Sequence, residues 1–453
     1  MKRRTLAERR RIVGYTQERL ALVLGVERST VVRWEGGDTT PQPWCRPKLA
    51  QALGVPVDEL DALLSKGQPE GGGGPLGEGA AAEELPVDPE HDPVLTTPWS
   101  HRGTVEVAVV LRGGDRVKRR HFVFLSGMAL TAPAHQWLIQ DPGPLVSGLS
   151  GRRVSAELAD RLPPMIAELR AMDDVAGGGT VLSLAQQEFG WVTGLLDQAA
   201  YDEPTARKLH IALAELGQLA GWTAHDSGQQ ALAQRYYIAG LRAAHTADDR
   251  PLGAHILSCL AEQAVDEGRP GEAVTLLQTA FAGVRGRETP RLLSELHIRQ
   301  GYARGIMQDA SGCTAAVSEA LSHLEPRDGD PPWLYWVSPA DITACSGVCL
   351  LKLGEPERAA VLLEEGVGLF GESFVRDRQL FSIHLADALA RPGKHRDLDA
   401  AASWGIKAIT LGDSVDSSRS IGRLRNLCHQ MTPHATVPAV GDFLERARDL
   451  VTV

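Results

Sequence analysis

Aromatic residues are scarce, 5% of the 453-residue chain. Strands are normally rich in aromatic and β-branched side chains, so a chain dominated by Ala, Leu, Gly and Arg predicts packed amphipathic helices, an all-α fold. No run approaches the ~20 apolar residues that span a membrane, so no membrane partner is expected. The six cysteines, at 45, 259, 313, 345, 349 and 428, form no C-x-x-C pair. The Cys/His inventory has no zinc spacing, so no metal and no cofactor are expected, and the thiols read as buried side chains in a reducing cytoplasm. Catalytic signatures are missing too. The glycines at 71–74 precede no Lys-Ser/Thr of a phosphate loop, and neither G-x-S-x-G nor H-E-x-x-H occurs, so an enzyme is not expected.

The charge is uneven. The chain carries a net −10, yet residues 1–48 hold 11 Lys/Arg against 5 Asp/Glu. A basic head on an acidic body points to nucleic acid. The head is expected over 1–66. Residues 67–98 read as a flexible linker: the stretch 67–92 has 7 Gly, 4 Pro, 7 acidic residues and no Lys or Arg, too polar to bury a core. A helical connector is expected over 99–200. Within it, TVEVAVVL at 104–111 alternates like a strand at first but reads better as a short helix before Gly113-Gly114. Helices are expected in 118–138 and 154–171. Asp173-Asp174 and Gly177-Gly178-Gly179 are expected to form a loop before a helix over 182–200. Arg119-Arg120 before Phe122-Val123-Phe124-Leu125 imitates a twin-arginine export signal, but export signals are N-terminal, and the segment reads as a core helix of the connector.

From about 201 to 453 the chain repeats. A small residue, a turn, an Ala or Cys, a bulky residue four later and a small residue three later recur in four segments. They are Gly221, Gly228, Ala233, Tyr237, Gly240; Ala261, Gly268, Ala273, Leu277, Ala280; Gly301, Cys313, Val317, Ala320; and Gly347, Gly354, Ala359, Leu363, Gly366. A weaker fifth centres on Ala401 and Ala408. Antiparallel helix pairs need small residues where they cross and bulky ones beside the crossing. The pattern resembles tetratricopeptide repeats, with a period longer than the usual 34; a generic α-solenoid is the alternative.

Residues 16–37 read TQERLALVLGVERSTVVRWEGG. Thr16 can cap a helix that Gly25 ends, and a second helix is expected from Arg28 to Trp34. Leu20, Leu24, Val31 and Trp34 form an apolar face, and Ala21 is small where the two helices meet. With further helices over 6–14, 44–53 and 57–64, this makes a five-helix helix-turn-helix domain. Gln17, Ala21, Gly25, Val31 and Trp34 at this spacing resemble the Cro-repressor, or XRE, class. Glu27 departs from it, since Ser, Thr or Asp often caps the recognition helix there. The resemblance implies double-stranded DNA as partner. Arg28, Ser29 and Arg33 would face base edges, Thr30 a phosphate or thymine methyl, and Gln17 a phosphate. Arg3, Arg4, Arg10 and Arg11 suit the phosphate backbone.

Tetratricopeptide-like solenoids present a concave face from the first helix of each pair. That resemblance implies a ligand face of Gln218, Trp222, His225, Asp226, His255, Ser258, Glu262, Glu295, Tyr302 and Asp341. The set is polar, aromatic and acidic, suited to an amine, a basic peptide or a cationic metabolite. The aromatic cluster from Pro331 to Trp336 reads as packing under a loop. The layout resembles peptide-pheromone-sensing regulators of Gram-positive bacteria. It also resembles actinobacterial regulators of development and secondary metabolism, which match 169–241 better. The expectation is a cytoplasmic, nucleoid-associated, homodimeric transcriptional regulator on a two-fold symmetric operator, modulated by a peptide or small-molecule effector. The competing reading is a DNA-tethered adaptor whose solenoid recruits a protein.

Overall fold

The structure is a computed structural model and describes residues 6, 10, 15–24, 26, 28–36, 41, 45–53, 92–112, 123–148, 151–324 and 329–451. Among them the fold is all-α, with no strand and only two isolated bridges, Gly148 with Tyr201 and Arg153 with Ala200. The chain divides into two compact units, residues 1–83 and 84–453.

In the first unit, α1 (Gln17–Leu24), α2 (Arg28–Gly36) and α3 (Arg46–Leu53) are described. Leu20, Ala21 and Leu24 meet Val31, Trp34, Leu49, Ala50 and Leu53 in one buried cluster with Leu6 and Cys45. The apolar face read from the sequence is therefore the core. Leu6 and Arg10 are helical. The remainder of the expected first helix, Gly25, Glu27 and the helix expected over 57–64 lie outside the described residues.

The second unit opens earlier than the linker reading allowed. Asp92 is fully buried, and its carboxylate accepts from Val94 N (3.0 Å) to cap the short helix α4 (Pro93–Thr96). The same carboxylate is 2.8 Å from Nε of Arg235, whose side chain is also 0% exposed. Arg242 donates to the carbonyls of Thr97 and Pro98 and lies 4.7 Å over the Trp99 ring. Residues 92–98 are thus a strap bound by two buried arginines and the buried Val94, concealed in the sequence by the polar stretch before it and because the arginines lie far along the chain.

The connector follows as α5 (His101–Arg112), α6 (Met128–Ile139), α7 (Ala156–Ala159), α8 (Leu162–Ala176) and α9 (Gly178–Gln198). In α5, Thr104, Val107, Ala108 and Leu111 are buried at helical spacing, which decides against a strand. The helix expected over 118–138 begins only at Met128; residues 113–122 lie outside the described set. The expected loop at Asp173-Asp174 is instead the last turn of α8, with both carboxylates buried. Gly177 alone breaks the helix, at φ 80°. Gly178 opens α9, where a Cβ would lie 2.7 Å from Thr223 O and 2.8 Å from Asp226 Cβ.

Five antiparallel pairs complete the unit: α10 (Glu203–Asp226) with α11 (Gln230–Thr246), α12 (Arg250–Asp266) with α13 (Pro270–Gly283), α14 (Pro290–Ile306) with α15 (Ala310–Ser322), α16 (Pro339–Leu353) with α17 (Pro356–Leu369), and α18 (Val375–Ala390) with α19 (Leu398–Gly412). Then come α20 (Ser418–Met431) and α21 (Pro438–Val451). The small residues read as crossing points are such points. A Cβ on Gly221 would meet the Tyr237 ring at 2.5 Å, and one on Gly347 the Leu363 side chain at 2.7 Å. The turn glycines Gly228, Gly268 and Gly354 take positive φ. The third pair has no such glycine. Gln308 takes the left-handed turn at φ 59°, its amide donating to the carbonyls of Gly305 (3.0 Å) and Lys352 (2.9 Å).

Candidate nucleic-acid interface and candidate ligand cavity

In the first unit Val26, the described residue between α1 and α2, donates its N–H to Ala21 O at 3.0 Å. Val31, Trp34 and Glu35 turn inward, whereas Val32 and Arg33 are exposed, as is Arg28 at the start of α2. The second helix therefore offers a polar outer surface carrying basic side chains beside a fixed apolar inner one. Residues 3–63 match the family model of a helix-turn-helix domain. No curated protein matches the chain. A helix-turn-helix domain presents its second helix to the major groove, so the chain is a DNA-binding regulator in the general sense. Thr30 is half-buried in α2. Ser29 belongs to the first turn of α2, but its side chain lies outside the described set, as do Arg3, Arg4 and Arg11.

Two expected phosphate contacts in the helix-turn-helix domain are corrected. Arg10 is buried at 7% exposure and clamps Glu35 with two nitrogens, Nε to Oε1 at 2.5 Å and Nη2 to Oε2 at 3.2 Å. Its Nη1 donates to Tyr15 O (2.7 Å). Gln17 Nε2 donates to the same carboxylate at 2.7 Å. Glu35, which sequence reasoning did not single out, thus ties the segment before α1 to the end of α2. Bidentate geometry satisfies the buried charges. The Arg10 side chain is withheld from a phosphate, and the Gln17 amide is engaged inside the domain.

In the second unit the first helix of every pair contributes to one cavity of about 1050 Å³, its solvent-open mouth included. Six of the ten residues expected on this face line it: Gln218, Trp222, His255, Glu262, Tyr302 and Asp341. The other four stand behind the lining. His225 Nε2 is 3.5 Å from Asp266. Asp226 accepts from Gly178 N (3.0 Å) and Ser417 Oγ (2.8 Å). Glu295 holds His255 Nδ1 at 2.7 Å and also takes the Ser258 hydroxyl.

The expected acidity of this face is corrected by arginines from other elements. Arg376 of α18 binds Asp173, Asp174 and Asp377. Arg419 and Arg423 of α20 reach Asp226, Glu262 and Asp266. Arg299 pairs with Glu262 at 2.9 Å, and Arg170 with Glu215 at 2.8 Å. Trp222 is flanked by Arg376 (5.5 Å) and Arg419 (4.8 Å), a double cation–π contact. The cluster at 331–336 forms a wall rather than loop packing. Trp333 stacks on His255 with centroids 4.7 Å apart, Trp336 lies under Arg299, and Tyr335 donates to Asp174 at 2.6 Å.

Burial governs the titration here. It raises Asp173 to about 6 against the pull of Arg376, and Asp174 to about 7. Burial also pushes on Asp266, but the His225 hydrogen bond and the charges of Arg423 and Arg419 overcome it and hold that carboxyl well below the usual range. Burial, with Arg423 and Lys352 nearby, keeps the His384 imidazole well below its ordinary value.

Among the described residues two triplets could supply metal ligands, His255 with Cys259 and Glu295, and His297 with Glu319 and His323. In the first, burial raises the Cys259 thiol, which disfavours the thiolate a metal needs. No helix among the described residues is long and apolar enough to cross a membrane. Sequence reasoning missed the five arginines and Asp173, Asp174 and Asp266. An Arg-x-x-Asp-Asp run at 170–174 and the Arg-x-x-x-Arg spacing at 419–423 were the available signals.

Proposed function

We propose that the protein is a sequence-specific transcriptional regulator of the Cro-repressor class that acts as a homodimer on a two-fold symmetric operator. Arg28, Ser29, Thr30 and Arg33 read bases and Arg3, Arg4 and Arg11 attract phosphates. The backbone N–H groups at the α1 N-terminus, where Gln17 stands, face a phosphate. The body is a tetratricopeptide-like solenoid that senses a small molecule or peptide, and the protein works in the cytoplasm on the nucleoid.

The observation that carries the sensing half is the agreement of register. A tetratricopeptide fit named ten residues across four pairs, and six of them line a single cavity. A protein-recruiting adaptor has no need of a partly enclosed, aromatic-walled cavity with convergent polar groups, the kind of site that suits a small ligand.

Binding-site selection followed by footprinting tests the DNA half. Arg28→Ala and Arg33→Ala each relax base preference at one position per half-site, by about 1–3 kcal/mol. An unchanged footprint and affinity refute the assignment. Half-sites about 34 Å apart are expected, and a monomer bound to operator in analytical ultracentrifugation refutes the symmetric reading. Thermal melting against metabolite and peptide pools tests sensing, since a ligand that binds only the folded body raises its midpoint.

A further inference from the structure

We propose that the cavity binds a small organic amine, its ammonium group held by Asp341 and its apolar body against the wall of Trp333 and Trp336. The proposal rests on the sensing reading above and names the chemistry of the effector.

The argument begins from the charges already matched. Each arginine lining the cavity has its acid: Arg170 has Glu215, Arg299 has Glu262, Arg376 has three aspartates, Arg419 has Asp226 and Glu262, and Arg423 has Asp266. An anionic ligand would find every lining guanidinium already ion-paired, the N–H groups of Arg170, Arg299 and Arg419 that lack a hydrogen bond among the described residues being buried, and would face the carboxylates behind each one. Anion binding would require breaking buried ion pairs, which is strongly unfavourable.

One lining carboxylate stands outside this matching. Asp341 is 6% exposed, and among the described residues no ion pair reaches it. Among the described residues the one side-chain hydrogen bond to its carboxylate comes from the weak donor Cys345 Sγ, at 3.8 Å. The local sequence offers a structural duty for it, because Ser338 is the N-cap of α16 and Asp341 stands three residues on, the spacing of a capping box. Half of that box is built, since Asp341 N donates to Ser338 Oγ at 3.3 Å. The return bond from Ser338 N to the Asp341 carboxylate is not made among the described residues, so the carboxylate is left to the cavity. A buried carboxyl without a counter-ion is costly to ionise, and such groups cluster at functional sites.

The neighbours agree. Burial, reinforced by Asp377 of α18 and Glu262 of α12 against Arg299 of α14, raises the Asp341 carboxyl to about 8. A cation placed beside it restores the ionised form. The indoles of Trp333 and Trp336 give the cavity aromatic surface on which an amine's hydrocarbon part can lie and a cation can be further stabilised.

The test uses the full chain with matched probes: 2-phenylethylamine and tryptamine, the isosteric alcohols 2-phenylethanol and tryptophol, and the acids hydrocinnamate and indole-3-acetate. Thermal melting and isothermal titration calorimetry are read at pH 7 and pH 9. The amines are expected to raise the midpoint more than the alcohols, with the acids giving no shift. Asp341→Asn is expected to weaken amine affinity at least tenfold and, in the ligand-free protein, to raise the midpoint at pH 9, because an uncompensated charge has been removed.

Amines that shift the midpoint no more than the alcohols overturn the proposal, whatever the variant does. So does an Asp341→Asn protein that binds amines as well as the unaltered chain, or one that melts lower at pH 9, which is the mark of a structural acid. Alcohols that bind as tightly as the amines, or acids that bind at all, would overturn the ligand class and leave the sensing reading standing. That reading fails separately, when no pool changes either melting or operator affinity.

Discussion

Replacing Asp92 by alanine removes the carboxylate facing Arg235, an ion pair in which both side chains are 0% exposed and 2.8 Å apart. Arg235 sits on α11, in contact with α10, α12 and the strap, and cannot swing to solvent without opening the core. Removing one partner of a buried ion pair costs about 3–5 kcal/mol. Asp92 also caps α4 through Val94 N, and losing a cap costs about 1 kcal/mol. The two together give about 4–6 kcal/mol, comparable with the whole stability of an ordinary domain at ~5–15 kcal/mol. Urea titration followed by circular dichroism should show the midpoint of the body falling accordingly. Limited proteolysis should cut within 92–98 before the rest of the body, because, of its polar anchors, only Arg242 then remains, beside the packing of Val94 and Leu95. Asp92→Asn, which keeps the cap acceptor but not the charge, should lose less. The pair Asp92→Leu with Arg235→Met should recover most of the loss, since apolar groups can replace a buried pair at little cost. An Asp92→Ala body within about 1 kcal/mol of the unaltered one would refute the reasoning, and with it the claim that the strap is an integral part of the fold.

Three other outcomes are expected. Gly217→Ala should destabilise the body by about 1–2 kcal/mol: its Cβ would lie 2.8 Å from Gly240 Cα, an overpacking that outweighs the ~1 kcal/mol gained in helix propensity; a stabilised variant in urea titration would contradict it. Asp174→Asn should change the pH dependence of stability in a fixed sense. The folded carboxyl is raised to about 7, so the folded state holds its proton longer than the unfolded chain. Its contribution is complete below about pH 4 and is lost as pH rises through 7. Melting curves should therefore favour the variant increasingly over that window, and a constant difference would exclude the effect. Glu35→Ala should lower the melting transition of the helix-turn-helix domain by about 3–5 kcal/mol, because it strands the buried Arg10 guanidinium, while the body transition stays where it is; calorimetry separates the two.

What was legible in the sequence was whatever recurs locally. Helical spacing gave the core of the helix-turn-helix domain from Leu20 to Trp34, and the alternation of small and bulky residues gave the crossings at Gly221 and Gly347. Asp341, named from the tetratricopeptide-like register, lines the cavity. What was not legible depends on partners far apart in the chain. Arg10 has the composition of a DNA contact, and only the folded position of Glu35 shows it to be internal. Asp173 and Asp174 looked like loop residues because acidic pairs before glycines usually are; Arg376, some two hundred residues on, makes their burial tolerable. The acidity of the face is largely offset for the same reason, since three of its five arginines come from α18 and α20 rather than from the repeats that carried the expectation.

The wall and floor of the cavity have an optical consequence. Three of the nine tryptophans, Trp222, Trp333 and Trp336, line it. Trp222 sits between two guanidinium groups, and Trp333 lies against an imidazole. Their emission is thus set by polar neighbours at fixed distances, guanidinium groups among them. A molecule entering the cavity must change either those distances or the water between them. The body therefore carries its own fluorescent test of the proposed ligand, since a change in emission colour or lifetime on adding an amine would report filling of the cavity in the unlabelled protein.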